Sequence, residues 1–148
     1  MSDILYRFIP VDCENIVQPD HQAAIGRLSF EGRELEATCL DRIEFADAGS
    51  GFEDVCCPFC GESLLGWWQE AMDAAYSAEA GFGSLKAALP CCGKDGSLDS
   101  LDYRMPQGFY RSMIEAFNLE DEGHDPHEVL DALEGVTGFP WRLIRAYY

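Results

Sequence analysis

Positive charge is what this sequence lacks most. Its 148 residues include ten lysines and arginines against 27 aspartates and glutamates, and the formal net charge is −17. Two long stretches contain eight acids each and no lysine or arginine, one between Arg42 and Lys86 and the other between Arg111 and Arg142. Nucleic acids and anionic membrane surfaces are bound through basic side chains. The composition therefore predicts neither nucleic acid nor a membrane as partner, and it favours a basic protein.

Long apolar runs are also missing. No run of about 18 apolar residues occurs, so no membrane span is predicted. Residues 1–7 lack the basic start and the long apolar stretch of a signal peptide, and we therefore expect a cytoplasmic protein. Under the reducing conditions of the cytosol, clustered cysteines are more often metal ligands or redox thiols than disulfides. No Ser/His/Asp arrangement, phosphate loop or dinucleotide fingerprint is present.

The cysteines, in contrast, are concentrated. Five of the seven lie in two short segments, CCPFCG at residues 56–61 and PCCG at residues 90–93, with 30 residues between Cys60 and Cys91. A Cys-x-x-Cys pair on a tight Pro/Gly turn directs two thiolates at one ion, and a second pair completes a tetrahedron. The sequence therefore predicts a structural zinc site formed by Cys57, Cys60, Cys91 and Cys92.

The segment from Cys57 to Gly61 resembles the knuckle of zinc-ribbon proteins. The second segment departs from that pattern, because a full knuckle would have its first cysteine where Leu89 stands. The fourth ligand is thus the open question, with Cys56 or a histidine as the alternative. Together with the stretches at residues 97–99 and 101–103, the cysteine segments are also similar to a group of uncharacterised bacterial proteins. That resemblance implies no particular reaction.

The CPFC turn is similar as well to the active-site turn of glutaredoxins, in which a helix N-terminus lowers the pKa of the first thiol. Three features favour the metal interpretation. Gly61 interrupts a helix start, the neighbouring acids Glu53, Asp54 and Glu62 are expected to raise a thiol pKa, and the second cysteine pair would have no role. A thiol-disulfide oxidoreductase is the alternative function, and the sequence leaves open whether the protein is an enzyme.

Several other residues have both a functional and a structural interpretation. The histidines beside Asp125 could form a second metal site, although a helix cap explains them better. The loop acids Asp99 and Asp102 suit an acid/base pair only by residue type. The pair Trp67 and Trp68 is better explained by packing than by ligand stacking. Cys39 fits the apolar side of a strand. The residues in question are His124 and His127, Asp99 and Asp102, and Trp67 and Trp68.

Hydrophobic periodicity predicts four strands and three helices. The strands are expected at residues 4–11, 34–46, 109–119 and 141–148, and the helices at 19–31, with Gly32 as its stop, 64–81 and 126–138. Residues 93–97 are expected to form a loop. The apolar residues of 109–119 fit a helix face about as well as a two-sided strand, and the order of the flanking elements favours the strand.

These elements predict an α+β fold of one domain, residues 1–148. The order strand–helix–strand on both sides of the cysteines matches a ferredoxin-like split βαβ sandwich. Residues 1–47 and 109–148 would be its halves, and residues 48–108 a zinc-ribbon-like, helix-bearing insertion. The predicted function is that of a small acidic zinc-binding module for protein–protein interaction, for which an immunity-type inhibitor of a basic toxin is one precedent.

Overall fold

The protein has a mixed α+β architecture in which a β-sheet dominates the core. Its structure, a computed structural model, describes residues 4–26, 35–49, 53–117, 119, 123 and 125–147. These residues form three α-helices, α1 (Pro19–Gly26), α2 (Leu65–Ala75) and α3 (Pro126–Thr137). Four long strands are β1 (Ile4–Pro10), β2 (Glu36–Ala46), β9 (Gly108–Phe117) and β10 (Trp141–Tyr147). The predicted α+β class is thereby confirmed.

Six short strands and one 3₁₀ turn lie between β2 and β9. They are β3 (Val55–Cys56), β4 (Tyr76–Ser77), β5 (Gly81–Phe82), β6 (Lys86–Ala88), β7 (Asp95–Ser97), β8 (Asp102–Tyr103) and the turn Leu98–Ser100. β3 pairs with β8 and β6 with β7, each antiparallel. The part of the chain that contains the cysteine segments is thus built of short antiparallel strand pairs and the helix α2.

The main sheet has the strand order β10-β1-β9-β2-β5-β4. Each long strand is antiparallel to its long neighbours, and in the register Phe8 lies opposite both Leu143 and Ile114. Residues 109–117 are therefore strand, as predicted, and not helix. The strand is favoured here because β9 pairs on both sides and buries side chains on both faces, Phe109 and Met113 on one and Ile114 on the other.

Helices α1 and α3 pack against each other and cover one face of this sheet. The cluster between helices and sheet includes Tyr6, Phe8, Ile25, Ile114, Val129, Leu133 and Trp141. The start of α3 follows the prediction, since the Asp125 side chain accepts a hydrogen bond from the His127 backbone N–H at 2.9 Å. The end of α3 also follows the prediction, because Gly138 terminates the helix with a left-handed φ of 82°.

The cysteine-containing segment packs against the other face of the sheet, at one end of β2 and β9. Phe45 of β2 lies directly opposite Phe109 of β9, with ring centroids 5.1 Å apart. Around these two rings packs a second buried cluster that includes Val55, Leu64, Met72, Phe82, Leu89, Leu98 and Leu101. Residues 53–103 therefore have a core of their own, which is continuous with β2 and β9.

Two predictions about local structure were wrong. The helix expected over 64–81 ends at Ala75, and the following residues form the β4–β5 hairpin instead. Gly81 makes this possible with a φ of 65°, and a Cβ there would collide with the Ile43 carbonyl oxygen, so the two backbones approach closely. The loop expected over 93–97 contains β7, because Asp95–Ser97 pairs with β6.

Some sequence predictions fall on residues outside the described ranges. These are the expected end of the first helix near residue 31 with its stop at Gly32, and the candidate ligand His124. Within the described part of the chain, no helix has the length and apolar character needed to cross a membrane.

Candidate metal centre

The first cysteine turn is closed by two backbone hydrogen bonds. The Cys57 N–H donates to the Glu62 carbonyl at 2.8 Å, and the Gly61 N–H donates to the Cys57 carbonyl at 3.0 Å. Gly61 has a φ of 79°, which an L side chain rarely adopts. This tight turn thus favours proline at its second position, Pro58, and glycine at its fifth, Gly61. The two cysteines occupy its first and fourth positions.

The second turn repeats the first. The Leu89 N–H donates to the Lys94 carbonyl at 2.9 Å, and the Gly93 N–H donates to the Leu89 carbonyl at 2.9 Å. Gly93 has a φ of 70°. The segments CPFCGE and LPCCGK therefore form equivalent turns, in which Cys92 corresponds to Cys60 and Leu89 corresponds to Cys57.

These two turns bring four thiols together. The Sγ atoms of Cys57, Cys60, Cys91 and Cys92 all lie within 4.8 Å of one another. The Cys60–Cys91 sulfur distance is 3.4 Å and the Cys57–Cys92 distance is 3.8 Å. Four sulfurs bound at about 2.3 Å around one tetrahedral ion would be separated by about 3.8 Å. The four cysteines can thus hold a metal ion with small adjustments of their side chains.

The electrostatics of the cluster favour a bound cation. Burial opposes ionisation of Cys57, but hydrogen bonds from the Cys60 and Phe59 backbone N–H groups and from neighbouring thiols lower its pKa. Burial and the contacts with the thiols of Cys60 and Cys57 raise the pKa of Cys91. Ionisation of one thiol therefore opposes ionisation of its neighbour. A divalent cation would remove this conflict, because it stabilises all the thiolates together.

One argument from the sequence was wrong. The acids Glu53, Asp54 and Glu62 were expected to raise the thiol pKa, yet the pKa of Cys57 is lowered. The carboxylate of Asp54 instead accepts hydrogen bonds from the Ser63 hydroxyl at 2.7 Å and from the Val55 N–H at 2.8 Å. The nearest donors to the Cys57 sulfur are backbone N–H groups, and these decide the direction of the shift.

Cys56 is not a member of the thiol cluster. Its side chain is buried between two charged groups, with its Sγ 3.6 Å from the Asp54 carboxylate and 3.4 Å from Nε of Arg104. Sequence reasoning did not identify Arg104 as a neighbour of the cysteines, and no spacing signal marks it. The alternative in which Cys56 replaces one of the four ligands finds no support in this arrangement.

The other two cysteines lie away from the cluster. Cys39 is partly buried on β2 and packs against the helix-covered core, which agrees with its predicted role as an apolar core residue. Cys13 is buried, and burial together with the nearby Asp99 raises its pKa to about 12. Cys13 therefore lacks the low pKa of a nucleophile at neutral pH.

The remaining candidates have structural partners. Asp102 pairs with Arg104 at 3.7 Å, whereas Asp99 lies 3.9 Å from Arg142, so the two acids contact different bases. Trp68 stacks edge-on against Phe45 at 5.7 Å. Its indole N–H donates to the Tyr103 hydroxyl at 3.2 Å, which agrees with the predicted packing role.

Comparisons of the chain with protein-family models, with curated proteins and with solved structures found no match. The function is therefore inferred from the geometry and the charge of the chain itself.

Proposed function

We propose that Cys57, Cys60, Cys91 and Cys92 bind one zinc ion with a structural role, and that the protein uses its acidic surface to bind a basic protein. The observation that carries the proposal is the approach of all four sulfurs to within 4.8 Å of one another. A tetrahedral set of four thiolates suits zinc or iron, and zinc is the usual ion at paired tight turns. Four protein ligands leave no position for water, so the ion would stabilise and not catalyse.

The fold that we infer around this site is a ferredoxin-like sandwich with a zinc-ribbon-like insertion. The order β10-β1-β9-β2 of antiparallel long strands, with α1 after β1 and α3 after β9, supports the sandwich. The equivalent turns at residues 57–62 and 89–94 support the insertion. In this arrangement the ion joins two hairpins that carry α2 between them.

The partner class is proposed from charge. A net charge of −17 repels nucleic acids and anionic membranes and attracts basic proteins in a cytoplasmic setting. An immunity-type inhibitor of a basic toxin is one protein that uses its surface in this way. The long-range part of this attraction is screened over about 10 Å at 0.1 M salt, so capture of the partner should weaken as salt is added.

The metal proposal is tested by elemental analysis of protein purified without added metal. We expect about one equivalent of zinc per chain, and loss of most of it in Cys60→Ser, since that variant lacks one of four ligands. Cys56→Ser is the matched control, because its thiol lies next to the site in sequence but outside the cluster. A folded, metal-free wild-type protein, or equal loss of metal in both variants, would contradict the assignment.

One observation favours a second function, thiol–disulfide exchange through the CPFC turn. The lowered pKa of Cys57 is what an attacking thiolate needs. Cys57 as a residue is only 2% exposed, however, and a substrate disulfide must reach its sulfur. We therefore expect negligible disulfide reductase activity from the zinc-loaded protein.

The two functions are separated by a reductase assay run beside a pull-down from cell extract at low and high salt. Salt-sensitive recovery of basic proteins without reductase activity supports the interaction module. Turnover that disappears in Cys57→Ser, with no salt-sensitive partner recovered, would support the oxidoreductase instead.

A further inference from the structure

A groove with aromatic walls lies between α2 and the edge of the main sheet formed by β2, β5 and β4. It encloses about 380 Å³ and is open to solvent on one side. One wall is the pair Phe45 and Trp68, whose ring centroids are 5.7 Å apart. The other wall is the pair Tyr76 and Phe82, at 5.0 Å. Met72 of α2 also lines the groove and is only 6% exposed. Tyr76 is 41% exposed at the mouth.

The polar part of this groove carries negative charge. Glu44, Asp47 and Asp73 line it, and none of its lining residues is a lysine or an arginine. Glu44 is held in place by Nε of Arg42 at 2.8 Å and by the Tyr76 hydroxyl, which donates to it at 3.3 Å. Its carboxylate is thus fixed at the end of an aromatic wall.

The other two carboxylates differ in their neighbours. Asp47 lies 3.5 Å from Arg7, which also contacts Glu115 at 3.5 Å, so one arginine is shared by two acids. Asp73 accepts a hydrogen bond from the Gln69 side-chain amide at 3.1 Å. Among the described residues, no lysine, arginine or histidine lies within ion-pair distance of Asp73. Asp73 is therefore the carboxylate of the groove whose charge no described basic side chain offsets.

We propose that this groove binds the side chain of a lysine or an arginine from the basic partner. Faces of tryptophan, tyrosine and phenylalanine attract cations, and the carboxylates add a charge-assisted hydrogen bond at the mouth. The methylene stem of either side chain can pack on the rings and on Met72 while its charged head stays near Asp73. An anion would be repelled, and a purely apolar group would remove the carboxylates from water without compensation.

This inference rests on the proposed function, since it identifies where the acidic surface recognises its basic partner. It is more specific than general attraction, because this groove combines carboxylates with two pairs of rings. Substituting Asp73 should thus have a larger effect than substituting an acid that only contributes to net charge.

The test is an NMR titration of the full chain with a short blocked peptide that contains one arginine among glycines and serines. The indole N–H resonance of Trp68 reports on the groove, while those of Trp67 and Trp141, which do not line it, serve as internal references. We expect the peptide to shift the Trp68 resonance. Asp73→Asn should weaken binding roughly three- to tenfold, the range of a partly desolvated cation contact.

Glu70→Gln is the matched control, because it removes the same charge from the exposed side of the same helix outside the groove. It should leave the affinity almost unchanged. A peptide with norleucine in place of arginine should not shift the Trp68 resonance. An unchanged Trp141 resonance in Asp73→Asn confirms that the variant is folded.

Equal weakening by Asp73→Asn and Glu70→Gln would overturn the proposal, as would equal binding of the norleucine peptide. If basic proteins bind in a salt-sensitive manner but the arginine peptide does not shift Trp68, the groove assignment is wrong and the proposed function stands. If neither the peptide nor any basic protein binds, both are wrong.

Discussion

Asp99 connects the cysteine-containing segment to the main sheet through a small, partly buried network. Its carboxylate lies 3.9 Å from Nη2 of Arg142 on β10 and contacts the thiol of Cys13. Burial raises the pKa of Asp99, Arg142 and the Cys13 hydrogen bond oppose that rise, and the nearby Asp12 adds to it. Loss of water therefore outweighs the single arginine.

This raised pKa has a consequence for stability. A carboxyl whose folded pKa lies above its unfolded value of 3.8 binds protons more strongly in the folded protein, so its contribution to stability falls as pH rises through that interval. We expect the stability of the wild type relative to Asp99→Asn to decrease as pH rises above about 4. Urea unfolding of both proteins at equal metal content measures this difference.

Asp131→Asn is the control for that series, because Asp131 is exposed on α3 and its removal changes net charge equally. A difference that instead grows with pH would mean that the pairing with Arg142 dominates over burial. In that case the network would act as an ion pair that favours the charged form of Asp99.

At the residue scale, the thiol ligands could be predicted because a chemical rule fixes their spacing. Two Cys-containing Pro/Gly turns in one chain are typical of a metal site, and the structure brings the four predicted sulfurs together. The neighbours of Cys56 and Cys13 had no such signal. Arg104 reaches Cys56 and Asp99 reaches Cys13 through tertiary packing across 48 and 86 positions of sequence, which no local pattern encodes.

At the scale of elements, the two cysteine turns are equivalent in backbone but different in ligands. Leu89 occupies the position that Cys57 occupies in the first turn, and it is buried to 1% exposure. Cys91 supplies the fourth thiol from the third position of its turn, where the first turn has Phe59. The adjacency of Cys91 and Cys92 is thus accommodated by one ordinary turn, without an altered backbone.

That equivalence predicts a rescue. Cys91→Ser should lower the metal content, because it leaves three thiolates. Adding Leu89→Cys in that background should restore about one equivalent, since it creates the pattern CPSCG at residues 89–93 with a thiol at the position of Cys57. Metal content is the measurement, because truncating a buried leucine lowers stability by itself. Leu89→Ala in the same background is the control and should not restore binding.

The local sequence pattern predicts some helices and strands better than others. Residues 109–117 were ambiguous between helix and strand, and pairing with β1 and β2 decided for strand. The apolar residues at helical spacing end at Ala75 and Tyr76, and the predicted helix was continued to Gly81, yet Tyr76 pairs with Phe82 in a hairpin. The close backbone contact between Gly81 and Ile43 is a tertiary feature, and the sequence contains no local indication of it. This error also hid the wall formed by Tyr76 and Phe82.

At the scale of the whole molecule, two buried clusters share the strands β2 and β9. One cluster lies under α1 and α3, and the other surrounds Phe45 and Phe109 beneath the cysteine turns. The second cluster contains the buried Cys57 and Leu89, with Cys91 packed against it. A metal ion at the four thiols would join the two turns that close this cluster, so its binding free energy would stabilise that part of the fold.

The two clusters should therefore respond differently when the metal is removed. The long strands have their own pairing and an apolar cluster that contains none of the four thiols, whereas β3, β6 and β7 are short strands around the cysteine turns. Regions with few buried contacts and short hydrogen-bonded ladders open at lower free energy than the rest of a protein. We expect a chelator to speed amide hydrogen exchange in residues 53–103 well before residues of β1, β9 and β10.

Hydrogen exchange followed by mass spectrometry, with and without chelator, measures this response peptide by peptide. Cys60→Ser should show the fast pattern already without chelator, and adding chelator should change it little, because its site is incomplete. Reloading the wild type with zinc should restore slow exchange in residues 53–103. Equal acceleration across β1, β9, β10 and the cysteine segment would instead mean that β2 and β9 couple both clusters into one cooperative unit, in which the metal stabilises the whole chain.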